Sequence, residues 1–264
     1  MKIAIIGTGN LGSSIAKGLI KNKSFTSLYL SDKNTAAVHV FSEEDYVTVT
    51  NDNVLAVTKS DVVIFALQPR HIDNVLESIS SSVTEDHVIM SVAAGVEISR
   101  IENLLGQDKN IIRVMPNTAI SIGKSMTCLA ANGKGQSKMD LAKKIFNQLG
   151  TTMVIPEEQI QAATVICASG IAFWMRLVRA TTQGAIQLGF EAHEAHELAV
   201  QTCFGSASLL IESGRHPEQE IDRVTTPSGC TIEGLNAMEH QGLSSALIQG
   251  IVASFEKINQ IKKS

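Results

Sequence analysis

From Lys2 to Ile155 the chain alternates short, β-branched apolar runs with stretches whose apolar residues recur at helical spacing. Strands are predicted at 2–6, 27–31, 46–49, 61–66, 87–92, 111–114, 126–130 and 153–155, and helices at 13–21, 74–80, 98–105 and 138–149. Such alternation calls for a mostly parallel sheet covered on both faces. After Pro156 the β-branched runs stop and long helical patterns take over, as in 166–188 and 196–211, with Gly or Pro punctuation near Gly189, Gly214, Pro217, 227–229 and Gly242. Their apolar positions are too plentiful for helices with one buried face, so they need partners within the chain or from another subunit. This places an α/β domain over 1–156 and an all-helical domain over 157–264.

Composition narrows the class. With 44% hydrophobic and 18% charged residues, the 264-residue chain has ample apolar surface for two cores. A net charge of −4 provides no basic field to hold a phosphate backbone, so nucleic acid is not an expected partner. Cys128, Cys167, Cys203 and Cys230 stand tens of residues apart without ligand spacing and are read as buried free thiols. The opening strand-like residues carry no charged leader, and no long apolar span stands out; the expectation is a cytoplasmic protein without a membrane partner. His193 and His196 in "EAHEAHE", like His240, suit a solvated or interface face. Their three-residue separation misses the zinc-protease spacing, so no metal is expected.

One stretch narrows the chemistry further. In "IAIIGTGNLG" the spacing Gly7-x-Gly9-x-x-Gly12 follows a strand and opens a helix, and Asp32 stands twenty residues after Gly12 in "YLSDKN". In a dinucleotide fold the first glycine allows the tight turn, the second lets the pyrophosphate approach, and the third lets helix and strand pack closely. The free N–H groups of the helix start then meet the phosphates. Asp32 suits a ribose 2′-hydroxyl, whereas Ser31, Lys33 and Asn34 suit a 2′-phosphate, so NAD and NADP both stay open.

Three further stretches end strands or open helices: "FALQPRHIDNVL" at 65–76, "RVMPNTAISIG" at 113–123 and "VTTPSGCTIEGL" at 224–235. The last is a polar turn leading into a helix, with N–H groups able to bind a carboxylate. Together with "SVAAGVEI" and "ASGIAF", all standing in the family's order and spacing, they make the chain resemble pyrroline-5-carboxylate reductases over essentially its whole length.

The resemblance implies a Rossmann dinucleotide-binding domain followed by an all-helical dimerisation domain. It implies homodimers, often assembled further into decamers, that reduce the cyclic imine 1-pyrroline-5-carboxylate to L-proline with NADPH or NADH. It carries cofactor phosphate contacts onto Gly7, Gly9, Asn10, Leu11 and Gly12. It also carries adenosine contacts onto Ser31, Asp32, Lys33 and Asn53, and nicotinamide-side contacts onto Ala66, Gln68 and Pro69. Substrate binding falls on Met115, Asn117, Gly229, Cys230 and Thr231, with Thr231 as the catalytic residue.

Departures from the family pattern are Gln68 for a usual Lys, Ile171 and Phe173 in "SGIAF" for Pro and Tyr, and Ser228 in a usual Pro-Gly-Gly. The expected mechanism is orientation: the Cys230 and Thr231 N–H groups hold the carboxylate while the Thr231 hydroxyl bonds the ring nitrogen. A β-hydroxyacid dehydrogenase would place a lysine in the first long helix of the second domain, and "ASGIAFWMRLVRATTQGAI" has none. A ligand-binding sensor without turnover is the rival from another class.

Overall fold

The computed structural model describes residues 1–23 and 25–263. Eight strands form one sheet: β1 (Lys2–Ile6), β2 (Ser27–Ser31), β3 (Val47–Thr50), β4 (Val62–Phe65), β5 (Val88–Ser91), β6 (Asn110–Met115), β7 (Ser125–Ala131) and β8 (Gly150–Val154). Their order is β3-β2-β1-β4-β5-β6-β7-β8. All neighbours are parallel except β6 and β7, where Met115 pairs with Cys128. The helices are α1 (Asn10–Asn22), α2 (Asn53–Thr58), α3 (Pro69–Ile79), α4 (Ile98–Leu105), α5 (Met139–Phe146), α6 (Ile160–Ala163), α7 (Gly170–Gln187), α8 (Ala192–Ser213), α9 (Pro217–Val224), α10 (Cys230–His240) and α11 (Leu243–Lys263).

The chain divides into two compact units, Met1–Ala168 with Ile258–Ser264, and Ser169–Lys257. In the first, strand alternation builds two apolar layers. Ile3 and Ile5 of β1 point to the layer containing Ile15 and Leu19 of α1 and Ile145 and Phe146 of α5. Ala4 and Ile6 point to the other, with Ile72 and Leu76 of α3 and Ile101 of α4. With both faces covered, β4 and β5 are buried at every position, which is why they read as continuous apolar runs rather than alternating ones.

Where the elements differ from expectation, local chemistry explains it. β8 starts three residues before the predicted 153: β-branched Thr151 and Thr152 extend the strand, and Gly150, with φ +144°, pairs so close to Ser125 that an added Cβ would overlap its carbonyl oxygen. α3 starts at Pro69, whose missing N–H suits a first helical position. α2 escaped the periodicity reading because it spans only six residues; Asp52 caps it, its Oδ1 accepting from the Leu55 N–H at 3.0 Å. Residues 164–169 are wound as a π-helix, where the helical pattern expected from 166 onward is that of an ordinary α-helix.

In the second unit α7 packs on α8, yet only a few side chains, including Thr182, Ala195 and Ala199, are buried. Trp174, Met175, Leu188, Phe204 and Ile211 are all more than half exposed. The continuous stretch Glu157–Gln187, with mean hydropathy 1.4 over its most apolar window, is long and apolar enough to cross a membrane, which corrects the reading that no such span exists. The thiols also differ: Cys128 is buried, Cys167 and Cys203 only partly so, and Cys230 is exposed. Cys230 cannot withdraw because it opens a helix at a surface turn.

Candidate functional site

The first strand delivers the glycine turn. Gly7 has φ +92°, and its N–H donates to the Ser31 carbonyl at 2.8 Å, which ties the turn to the end of β2. A Cβ on Gly7 would lie 2.6 Å from the Ala66 carbonyl oxygen, and one on Gly12 would lie 2.0 Å from that of Gly7. These two glycines are therefore required by the protein's own packing. Gly9 is different: it is the N-cap of α1, makes no side-chain cap, and a Cβ there would meet nothing within 4 Å. The open space lies at Gly9, and the backbone N–H groups of Asn10, Leu11 and Gly12 follow it in the first turn of α1. That space fits the pyrophosphate of a dinucleotide, because an uncapped helix N-terminus attracts anions.

Beside this turn is a cavity of about 330 Å³, within the usual range for a small-molecule site. Of the expected cofactor residues, Gly7, Gly9, Ser31, Asp32, Lys33, Asn53, Ala66 and Gln68 line it. Asn10, Leu11 and Gly12 instead form the start of α1, and Pro69 heads α3. Sequence reasoning missed Arg70 and His71, which also line the cavity from the first turn of α3. Their signal was present in "QPRH", where the proline fixes the helix start beside the strand end.

The carboxylate of Asp32 is drawn into the backbone. Its Oδ2 accepts from the Thr8 N–H at 2.6 Å and its Oδ1 from the Asn34 N–H at 2.9 Å. Ser31, fully buried, donates its hydroxyl to Asn53 Oδ1 at 2.7 Å. That bond fixes the Asn53 amide with its N–H₂ end turned away from Ser31, leaving a donor at the cavity wall.

Met115 ends β6 and is buried, in a small apolar cluster with Cys128 and Ile160. Asn117 is buried too. Its Oδ1 accepts from the Ala119 N–H at 3.0 Å and its Nδ2 donates to the Cys167 carbonyl at 3.1 Å, so its side chain braces the loop after β6 against the π-helical turn. In the same cluster the Cys128 thiol hydrogen-bonds Cys167, lowering the Cys167 thiol to about 7. Cys128 is driven the other way, by the same bond and by burial. Arg113, two residues before Met115, is 3% exposed; burial pulls its guanidinium down, while Glu157 at 3.3 Å partly restores it.

In the second unit Gly229 caps α10, again with no side-chain hydrogen bond. Its N–H donates to the Thr226 carbonyl at 2.9 Å, and a Cβ on Gly229 would lie 2.3 Å from Thr226 Oγ1. The first-turn N–H groups at Cys230 and Thr231 are thus uncapped, and Thr231 is partly exposed. Ser228 holds φ +55°, a conformation that favours glycine.

Comparison with known proteins finds two family models along the chain. A family model described as pyrroline-5-carboxylate reductase dimerisation matches residues 157–261, and one described as NADP oxidoreductase, coenzyme F420-dependent, matches 2–95. Pyrroline-5-carboxylate reductase 1 of Dictyostelium discoideum is 47% identical across 97% of this chain, which spans only 49% of that relative. Pyrroline-5-carboxylate reductase 2 of the same organism is 41% identical, with 97% of this chain and 91% of the relative covered. Among solved structures, a pyrroline-5-carboxylate reductase from Coxiella burnetii superposes with a TM-score of 0.92 at 29% identity, covering 99% of this chain and 98% of that one. The sheet topology, the glycine cradle, the turn before α10 and these relationships place the chain in the pyrroline-5-carboxylate reductase family.

Proposed function

We infer that this chain reduces 1-pyrroline-5-carboxylate to L-proline, with NADPH or NADH as hydride donor. The observation that carries this reading is the presence, in a member of this family, of both the open glycine cradle at Gly9 and the uncapped turn at Gly229–Thr231. The dinucleotide supplies a hydride when bound. The chain's own residues bind and orient.

Gly7, Gly9 and the N–H groups of Asn10, Leu11 and Gly12 receive the pyrophosphate; Ser31, Asp32, Lys33 and Asn53 receive the adenosine side; Ala66, Gln68 and Pro69 flank the nicotinamide side. The Cys230 and Thr231 N–H groups at the head of α10 hold the substrate carboxylate, where the helix dipole favours an anion. The Thr231 hydroxyl bonds the ring nitrogen and fixes which face of the C=N bond is presented. Met115 and Asn117 act from the end of β6, Asn117 by keeping its loop in place. A substrate that arrives protonated at nitrogen is already electrophilic, so no strong acid is required; the turn 224–231 contains none.

The dimerisation match makes this an oligomer-forming chain. We assign a homodimer because exposed Trp174, Phe204 and Ile211 in the helical unit require a partner; assembly of dimers into a decamer is what the family resemblance adds. The four free cysteines suit a reducing cytoplasm.

The test is the fall in nicotinamide absorbance when purified protein, 1-pyrroline-5-carboxylate and either NADPH or NADH are mixed. Turnover is expected. Binding of both ligands without turnover would point instead to a different imine substrate or to a sensor.

A further inference from the structure

The cavity beside the glycine turn is lined by two cations, Lys33 and Arg70. Among the described residues, neither has a carboxylate within ion-pair distance. For Arg70 the reason is visible. Asp73, one helical turn further along α3 and its natural partner, is held by Arg100 through two bonds, Nε to Oδ1 at 2.8 Å and Nη2 to Oδ2 at 2.6 Å. Asp32, the acid in the cavity wall, already accepts from two backbone N–H groups.

Arg70 is nevertheless oriented. Its Nε donates to His71 Nε2 at 3.2 Å, which requires the neutral imidazole with its proton on Nδ1. The two Nη groups make no hydrogen bond among the described residues, so they form a planar fork with unused donors. Pro69 pins the helix start that carries the fork, and Gly7 and Gly9 stand in the same cavity wall.

We propose that Arg70 is a phosphate-binding residue of the dinucleotide cavity, gripping the cofactor through the two Nη groups that His71 leaves free. The proposal rests on the reductase reading only in taking a phosphorylated dinucleotide as the ligand. The fork geometry favours a phosphate oxygen pair over a ribose hydroxyl, since guanidinium bonds two oxygens at once. Two cofactor groups offer that chemistry, the pyrophosphate common to both nucleotides and the 2′-phosphate of NADP.

Isothermal titration of the full chain with NADP⁺ and with NAD⁺ tests this without relying on turnover. In R70M the dissociation constant for NADP⁺ is expected to rise about tenfold, the size of a lost charge-assisted bond. R70K restores only part of it because a lysine lacks the fork. H71A gives a smaller rise because the guanidinium is no longer oriented. An equal loss for NAD⁺ assigns the grip to the pyrophosphate; a loss confined to NADP⁺ assigns it to the 2′-phosphate. Unchanged affinity for both nucleotides in R70M, with an unaltered melting temperature, overturns the proposal. Nucleotide binding by the unaltered chain without imine reduction would sink the reductase reading, while the Arg70 comparison would still stand in the same titrations.

Discussion

Single residues in this chain separate packing from binding with unusual clarity at the glycine motif. Gly12→Ala would force a methyl against the Gly7 carbonyl oxygen, so a loss of about 2–3 kcal/mol in denaturant unfolding is expected, as for overpacking against backbone. Gly9→Ala adds a methyl to open space at φ −63°. It should leave stability within about 0.5 kcal/mol while raising the KM for the cofactor, because the methyl occupies the approach to the helix N-terminus. Equal destabilisation by both changes would remove the argument that Gly9 is kept for a ligand. Ser228 makes the reverse case. At φ +55° a Cβ is strained, so Ser228→Gly is expected to stabilise the protein by about 0.5–1 kcal/mol, read as a higher melting temperature. Thr231→Ala should lower kcat at least about tenfold, as expected for losing an orienting hydrogen bond. An unchanged turnover number would remove Thr231 from the mechanism.

Among the elements, strands and the glycine motif were legible because the signals are local: β-branched runs bounded by polar residues, and glycines at fixed spacing after one of them. All eight strands lie where those runs are, with ends shifted by three residues or fewer. The role of Asp32 was legible only in outline. Its position follows from spacing, but that both oxygens take backbone N–H groups depends on how the turns at Thr8 and Asn34 come together. Arg70 was missed because "QPRH" marks the head of α3 but not which of its side chains turns to the cavity. The π-helical turn was missed because its apolar spacing resembles that of an ordinary helix, although it places the Cys167 carbonyl on Asn117 and the Cys167 thiol beside Cys128. That placement has a measurable result. With its thiol lowered to about 7, Cys167 should be alkylated with a half-maximal rate near neutral pH, faster above it and slower below, followed as its own peptide by mass spectrometry. Cys128→Ala removes the donor and should move that midpoint up toward the ordinary value of 9.0.

At the scale of the molecule, the family match for the helical region begins at residue 157, yet residues 157–168 belong to the first compact unit. Glu157 accepts from the Ile98 N–H at 2.7 Å and faces buried Arg113, and Ile160 is fully buried against Met115 and Cys128. The sequence marked the point where β-branched runs end, and composition carries no record of which core a following helix joins. A protein engineer dividing this chain would therefore do badly to cut where its pattern changes. A fragment ending at Pro156 removes the ion-pair partner of the buried Arg113, leaving it the field of Glu97, and uncovers Met115, Cys128 and Ala130 where Ile160 packs. It should unfold at lower denaturant than one ending at Ala168, by on the order of 2–3 kcal/mol for the ion pair alone given the partial exposure of Glu157. Matching midpoints for the two fragments would show that these twelve residues are passengers on the sheet rather than part of it. If the longer fragment is the stable one, it is also the natural vehicle for isotope labelling and nucleotide titration of the cavity in isolation.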